Sequence, residues 1–260
     1  KALGLKYLGI ADHSRSLAMA RGLTIDRVHE QWKAIDALNK KLGPRFRLFK
    51  GTECDILADG SLDFPDEVLA GFDYVVASVH SRFKMPRDEM TARIIKAISN
   101  PYVTMLGHAT GRLLLSRAPY EVDLDAVIEA AAKHGTMIEI NASPYRLDMD
   151  ATHCRRARKK GVTIVINPDA HSVAGLKDLS YGVGVARRAW CTADDVFNTA
   201  PPAEVAKRLE RLRDRAQKPA PPLMARLEEP GLVPGDPGFF PAARKAVIDM
   251  GIVRRRKVDV

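Results

Sequence analysis

Short apolar runs alternate with amphipathic stretches along residues 1–217 of the chain. Each run is rich in β-branched residues and nearly continuous, which is typical of parallel strands that are buried on both faces. The pattern therefore predicts strands at 7–13, 46–56, 73–80, 102–108, 136–142, 162–171 and 181–186.

The stretches between these runs carry apolar residues at helical spacing. In 24–43, the residues Ile25, Val28 and Trp32 lie three or four positions apart, and Gly43 follows as a stop signal. The same pattern predicts helices at 89–100, 124–135, 151–161 and 203–217. Strands that alternate with helices indicate a parallel sheet with crossover helices. Because seven strands are many for a small open sheet, we expect a (β/α) barrel.

The composition changes after residue 217. Residues 218–241 contain seven prolines and three glycines, which predicts a Pro/Gly-rich linker rather than a helix or a central strand. Residues 242–260 end in a basic run and predict a short C-terminal segment. The sequence thus predicts one domain at 1–217 with a proline-rich C-terminal extension.

The chain is basic, with a formal net charge of +9 at pH 7 from 41 Lys and Arg against 32 Asp and Glu. A basic surface suits a polyanion such as nucleic acid. Part of the excess lies in the terminal run 254–257, so charge alone is a weak indication of this partner.

The three cysteines, Cys54, Cys154 and Cys191, are scattered and form no C-x-x-C motif. This pattern favours reduced thiols in the cytoplasm over a disulfide framework or a thiolate zinc site. We interpret each cysteine as a small buried hydrophobic residue. No run of about 18 apolar residues predicts a membrane span, and no secretory leader is visible.

Candidate metal ligands occur where the first six predicted strands end. In a (β/α) barrel these carboxyl ends converge on one face. A single histidine there is ordinarily a loop or core residue, but packing alone does not explain the whole set. Imidazole and carboxylate without thiolate suit Zn²⁺, Mn²⁺ or Fe²⁺, and paired ions are common in phosphate ester hydrolysis. The strand-end residues are Asp12, His13, Glu53, Asp55, His80, His108, Asn141, Asp169 and His171.

The order of five motifs resembles the polymerase-and-histidinol-phosphatase (PHP) family of metal-dependent phosphoesterases. The motifs are "ADHS", "GTECDI", "SVHS", "GHATGR" and "PDAH". Longer runs resemble one branch, the C-terminal PHP domain of bacterial X-family DNA polymerases, and the match covers roughly residues 2–212. These runs include "DHSRSLAMARGL", "GHATGRLLLSRAPYEVDL" and "EINASPYRLD".

The resemblance implies a distorted (β/α)7 TIM-like barrel with up to three divalent ions in a cleft, Mn²⁺, Zn²⁺ or Fe²⁺. It implies six metal ligands in this chain, namely His13, Glu53, His80, His108, Asp169 and His171. Glu53 would bridge two ions, and His80 and His108 would complete the shell of the second. Glu53, Asp169 and His171 would form the catalytic centre, where a metal-bridging hydroxide attacks phosphorus.

Members of this branch act as Mn²⁺-dependent 3′→5′ exonucleases and as 3′-end phosphatases or phosphodiesterases. The resemblance therefore implies single-stranded DNA 3′ ends as substrate, within an X-family repair polymerase whose polymerase domain lies upstream. Two alternatives stay open, a small-molecule phosphatase of histidinol-phosphate type and an inactive PHP scaffold.

The family opens with a strand that bears an H-x-H motif and is followed by a further ligand. This chain has neither, because His13 belongs to the second motif. We therefore expect a fragment whose barrel lacks its first strand. The alternative is a site that has lost part of its ligand set.

Substrate contacts are predicted at Arg15, Lys84 and Arg112, which follow candidate ligands and suit phosphate groups. Each is equally interpretable as a solvated loop charge. Asn141 is expected to hydrogen-bond a ligand or water. Asp12 is expected to orient a neighbouring imidazole.

Overall fold

The computed structural model describes residues 3–17 and 20–217, in which one parallel sheet carries helices at its connections. The strand order is β1-β2-β3-β4-β5-β6, and every neighbouring pair is parallel. The sheet forms a half-barrel, which confirms the predicted α/β barrel-like class. The strands are β1 (Tyr7–His13), β2 (Arg47–Asp55), β3 (Tyr74–Ser78), β4 (Met105–Leu106), β5 (Met137–Asn141) and β6 (Ile164–Asn167). The linker at 218–241 and the segment at 242–260 lie outside the described residues and stay predictions.

Helices connect the strands, as the periodicity predicts. They begin at polar caps where the sequence supplies them: the Asp123 side chain accepts from Ala126 N, and that of Asp150 accepts from Thr152 N and His153 N. The helices are α1 (Ile25–Leu42), α2 (Asp66–Leu69), α3 (Arg87–Ile98), α4 (Leu124–His134), α5 (Ala151–Lys159), α6 (Leu179–Arg188) and α7 (Pro202–Gln217).

The predicted strand at 181–186 is wrong, because these residues lie inside helix α6. Gly182 and Ala186 are buried and four positions apart, so they share one helix face. A Cβ at Gly182 would lie 2.5 Å from Ile166 Cγ2 and 2.8 Å from Ala142 Cβ. The helix thus packs closely on β5 and β6 through small residues. A search for runs of β-branched residues does not detect this kind of contact.

The inner face of the sheet is apolar at one end and polar at the other. A hydrophobic cluster takes one inner residue from each of β2 to β6, and α7 covers it with Val205 and Leu209. Phe49 belongs to this cluster, and Glu53 lies four positions further along β2 on the same face. The carboxyl ends of the strands therefore carry polar side chains on the inner face of the half-barrel, and we call this end of the inner face the cleft. The inner residues of the cluster are Phe49, Val76, Met105, Met137 and Val165.

The cysteines are free thiols, with Cys54 and Cys154 buried and Cys191 half-buried. Within 3–17 and 20–217, no helix is both long and apolar enough to cross a membrane.

Candidate metal centre

Glu53 lies at the centre of the polar end of the cleft, with three imidazoles around its carboxylate. Its Oε1 is 3.0 Å from His108 Nε2 and 3.3 Å from His80 Nε2, and its Oε2 is 3.4 Å from His13 Nδ1. Only 12% of the Glu53 side chain is exposed. The ends of β1 to β4 thus bring four of the predicted ligands together, and we call these residues the Glu53 cluster.

The Glu53 cluster has the donor set and the unsatisfied atoms of a metal site. His13, Glu53 and His80 each offer a ligand atom, and these atoms lie within 4.8 Å of one another. The Nδ1 atoms of His13 and His108 are buried without a hydrogen-bond partner, which is rare for polar atoms in a folded protein. Imidazole nitrogens with a carboxylate fit a borderline divalent ion.

Asp55 orients the imidazole of His80. Its Oδ1 hydrogen-bonds His80 Nδ1, which leaves His80 Nε2 directed at Glu53. Burial alone would lower the pKa of His80, but the hydrogen bonds to Asp55 and Glu53 outweigh it and raise the pKa to about 9. In the absence of a metal ion, His80 is therefore protonated at neutral pH.

The carboxylate of Glu53 stays ionised although it is buried. Burial would raise its pKa, but hydrogen bonds from His108 and His80 hold the pKa well below its usual range. Burial lowers the pKa of His13. An ionised carboxylate beside a neutral imidazole is the state in which both groups can bind a cation.

Asp169 and His171 form a second group beside the Glu53 cluster. Asp169 Oδ2 accepts a hydrogen bond from Asn141 Nδ2 at 3.1 Å, the type of contact that the predicted role of Asn141 requires. His171 Nδ1 lies 3.7 Å from Asp169 Oδ1, and 74% of the His171 side chain is exposed. The His171 and His13 ring centroids are 6.4 Å apart. All six predicted ligands thus line one cleft, and their roles as metal ligands stay predictions.

Two of these residues have left-handed backbone conformations. The φ angles are 25° at His108 and 51° at Asp169, a region that non-glycine residues rarely adopt. The turn at His108 breaks the strand alternation after the short β4 and directs the imidazole towards Glu53. Such strain is often found at functional sites, because the surrounding structure must hold it in place.

Sequence reasoning missed Glu139, which lies on the inner face of β5 two residues before Asn141. Its carboxylate accepts hydrogen bonds from Asn141 Nδ2 at 3.0 Å, Asn167 Nδ2 at 2.9 Å and His108 N at 3.1 Å. Burial raises its pKa to about 7. The sequence did contain a sign of this role. Glu139 is a glutamate in the middle of an apolar strand, and its position two residues before Asn141 places both side chains on the same face.

The sequence reasoning also missed Arg146, whose Nε lies 3.4 Å from Asp169 Oδ2. Only 16% of its side chain is exposed, so the guanidinium lies inside the cleft beside a predicted ligand. The residue follows β5 in a loop and has no periodic signal that would have found it.

The predicted orienting role of Asp12 is wrong. Strand alternation places Asp12 on the opposite face of β1 from His13. Its carboxylate is exposed and accepts a hydrogen bond from Gln31 on α1. Asp55 is the carboxylate that holds an imidazole of the cluster.

The three predicted substrate contacts differ in their surroundings. Arg15 is paired with Asp63, with Nε 3.3 Å from Oδ1, and Lys84 is exposed. Arg112 donates from Nε to Arg146 O at 2.9 Å and from Nη2 to Leu147 O, so its guanidinium secures a neighbouring loop. The geometry thus favours a structural role for Arg112 over the predicted phosphate contact, and contacts from Arg15 and Lys84 stay predictions.

Fold and site together define an α/β half-barrel protein with a candidate divalent-metal centre at its strand ends. No family model matches the chain. The DNA polymerase/3′-5′ exonuclease PolX of Bacillus subtilis strain 168 is 45% identical over 208 residues, which are 80% of this chain and 36% of that protein. A probable phosphatase of Thermoanaerobacter sp. strain X514 is 32% identical over 181 residues, which are 66% of this chain and 70% of that protein.

A solved structure shares the fold. A protein of Listeria monocytogenes assigned as a histidinol phosphatase superposes with a TM-score of 0.51 at 12% identity, covering 67% of this chain and 87% of that chain. The chain belongs to the polymerase-and-histidinol-phosphatase (PHP) family. These findings support a phosphoesterase of PHP type, and the chain spans little more than a third of the length of the polymerase relative.

Proposed function

We propose that the chain is a divalent-metal-dependent phosphoesterase that acts on the 3′ ends of single-stranded DNA, as a 3′→5′ exonuclease or a 3′-phosphatase or phosphodiesterase. The observation that carries the proposal is the Glu53 cluster, in which one buried carboxylate contacts three imidazoles. The likeness to a named polymerase and 3′-5′ exonuclease supports DNA as substrate. An X-family polymerase domain in the same protein is part of this proposal, and Mn²⁺ is the proposed ion, with Zn²⁺ or Fe²⁺ as alternatives.

The residues of the cleft have separable tasks in this proposal. His13, Glu53, His80, His108, Asp169 and His171 would hold the ions. Divalent ions bound there would lower the pKa of water and neutralise phosphoryl oxygens. Asp55 keeps the His80 ring in place, and Asn141 keeps the Asp169 carboxylate in place. The guanidinium of Arg146 supplies positive charge beside Asp169, where an anionic ester would enter.

A labelled oligonucleotide tests the proposal. Full-length protein is mixed with Mn²⁺ and a 5′-labelled single strand, and the products are separated on a gel beside a strand that ends in a 3′-phosphate. We expect Mn²⁺-dependent shortening or dephosphorylation from the 3′ end, which EDTA abolishes. Glu53→Gln removes the central charge and should lower both the bound metal and the rate, the latter at least about 100-fold.

Glu30→Gln is the matched control, because Glu30 is an exposed glutamate on the outer helix α1. It should leave metal content and rate unchanged. Full activity in Glu53→Gln would contradict the assignment of the cluster. Hydrolysis of histidinol phosphate without action on DNA would favour the small-molecule alternative, which the 32% identical probable phosphatase supports. Neither activity nor bound metal would favour a scaffold.

A further inference from the structure

The loops that follow β4 and β5 are joined into one unit beside the metal centre. We call residues 109–120 and 142–147 the paired loops. Leu114 N donates to Tyr145 O at 2.7 Å, which joins the two loops near their tips. Further hydrogen bonds secure them, from Arg112 Nε to Arg146 O at 2.9 Å and from Thr110 N and Oγ1 to the buried Asp148 Oδ2 at 3.0 and 2.8 Å.

The paired loops expose three large apolar side chains, of which Leu114 is the least exposed at 39%. Leu115 is 110% exposed and Tyr145 is 74% exposed. Leu115 also has a φ of 62°, a left-handed conformation that disfavours leucine. Neither its exposure nor its strain is offset by packing within the described residues. Strain and apolar exposure that do nothing for the fold indicate a surface that contacts something else.

The position and charge of this surface indicate what it contacts. Arg146 follows Tyr145 directly, and its Nε lies 3.4 Å from Asp169 Oδ2, so the backbone of Tyr145 lies one residue away from a side chain that contacts a predicted metal ligand. The paired loops contain three arginines and neither aspartate nor glutamate. Aromatic side chains on a basic surface are the usual means of binding single-stranded nucleic acid, because every base has a face on which to stack.

We propose that Tyr145 stacks on the base of the nucleotide at the 3′ end of a single strand, and that the paired loops form the binding subsite for that nucleotide. This inference rests on the proposed action at DNA 3′ ends. The subsite would hold the terminal nucleotide while its phosphate lies in the cleft beside Arg146 and Asp169. The preferred substrate is then an end with an intact base.

Removal of the terminal base tests the subsite. Full-length protein with Mn²⁺ is given single strands that end either in a normal nucleotide or in an abasic residue, and kcat/KM is measured for each. The wild type should prefer the intact end. In Tyr145→Ala, the ratio of the two kcat/KM values should fall about 10-fold, which is within the measured contribution of one stacked base.

Two variants control the experiment. Tyr145→Phe should keep the wild-type ratio, because stacking needs the ring and not the hydroxyl. Leu38→Ala removes another exposed apolar side chain, on the outer helix α1, and should also keep the ratio. Fluorescence anisotropy of the same strands in EDTA gives the ratio of dissociation constants without turnover, and Tyr145→Ala should lower that preference as well.

The outcomes separate this inference from the proposed function. A Tyr145→Ala protein that trims DNA with an unchanged ratio, or a wild type without preference for the intact end, would overturn the subsite and leave the DNA activity standing. A wild type that hydrolyses a small aryl phosphate ester but neither kind of strand would overturn the proposed function, and the subsite with it.

Discussion

Glu53 and His80 carry opposite charges in a buried site that favours neither charge. Burial acts against each ionised form, and the hydrogen bonds among Glu53, His80 and Asp55 overcome it. The protonated His80 thus places a positive charge beside Glu53, where a bound divalent cation would otherwise supply it. Glu53 and His80, which contact each other in the absence of metal, are both proposed to bind metal.

This arrangement predicts a pH dependence of stability in the metal-free protein. The pKa of His80 is about 9 in the folded chain against 6.5 as the ordinary value. Because the pKa is higher in the folded state, protonation of His80 contributes its full stabilisation of the fold below pH 6.5. This contribution is lost as the pH rises through 9. Compared with His80→Asn in EDTA, the wild type should therefore lose an advantage on the order of 2–3 kcal/mol in unfolding free energy across this window.

Urea unfolding at several pH values, with both proteins in parallel, measures this difference. A difference that stays constant from pH 6.5 to 9 would contradict the ion pairing of His80. Adding Mn²⁺ or Zn²⁺ should have the opposite pH trend, because an imidazole must lose its proton to bind a metal ion.

The sequence revealed the ligands but not what supports them. His13, Glu53 and His80 stand at strand ends in a recognisable order, so their convergence was predictable from period-two alternation and parallel pairing. Glu139 was missed although its place in an apolar strand was visible, because its partners on the neighbouring strand ends are distant in sequence. Arg146 was missed because its contact with Asp169 is long-range and leaves no local pattern. The prediction for Asp12 failed because Asp12 and His13 are neighbours on a strand, so their side chains point to opposite faces.

At the scale of elements, helix α6 depends on one glycine. Gly182 lies where any Cβ would overlap Ile166 and Ala142, whereas a Cβ at Gly184 meets nothing within 4 Å. The two glycines sit two positions apart in the same helix, with Gly182 buried and Gly184 exposed. Alanine substitution can therefore add one methyl group to the buried face of α6 at Gly182 or to its exposed face at Gly184.

Gly182→Ala should destabilise the protein and Gly184→Ala should stabilise it. At Gly182 the methyl must push α6 away from β5 and β6, at a cost of about 1–3 kcal/mol. At Gly184 the same methyl only lowers the entropy of the unfolded chain, which contributes about 0.5–1 kcal/mol in favour of the helix. Thermal unfolding of the two variants checks both signs, and equal shifts would argue against the close packing of α6.

The same glycines explain the one element that was predicted wrongly. The run 181–186 alternates glycine with apolar residues, which suits a strand by composition. Tertiary packing decides the structure of this segment. A helix can cover Ile166 closely here because Gly182 has no side chain at the contact. The first six strands had no such competitor, and their predicted positions overlap the observed ones.

At the scale of the whole molecule, the layout separates stability from chemistry. Helix α7 closes the apolar end of the half-barrel through Val205 and Leu209, while the polar ends of the strands stay open. The open end carries the paired loops with their three arginines and the exposed Lys84. A polyanion that reaches the cleft would meet this positive charge before it meets the proposed ions.

This layout predicts a salt dependence that separates a nucleic acid from a small ester. If Arg15, Lys84 and Arg146 neutralise three phosphates, the slope of log affinity against log salt is about −2 for a single strand. The dissociation constant of an oligonucleotide should then rise roughly 20-fold between 50 and 200 mM salt, whereas KM for a small phosphate monoester should change little.

Lys84→Ala should make the slope shallower by about 0.7 if Lys84 contacts a phosphate. Lys33→Ala, an exposed lysine on the outer helix α1, should not alter it. Equal slopes for the strand and the small ester would mean that Arg15, Lys84 and Arg146 do not contact the substrate.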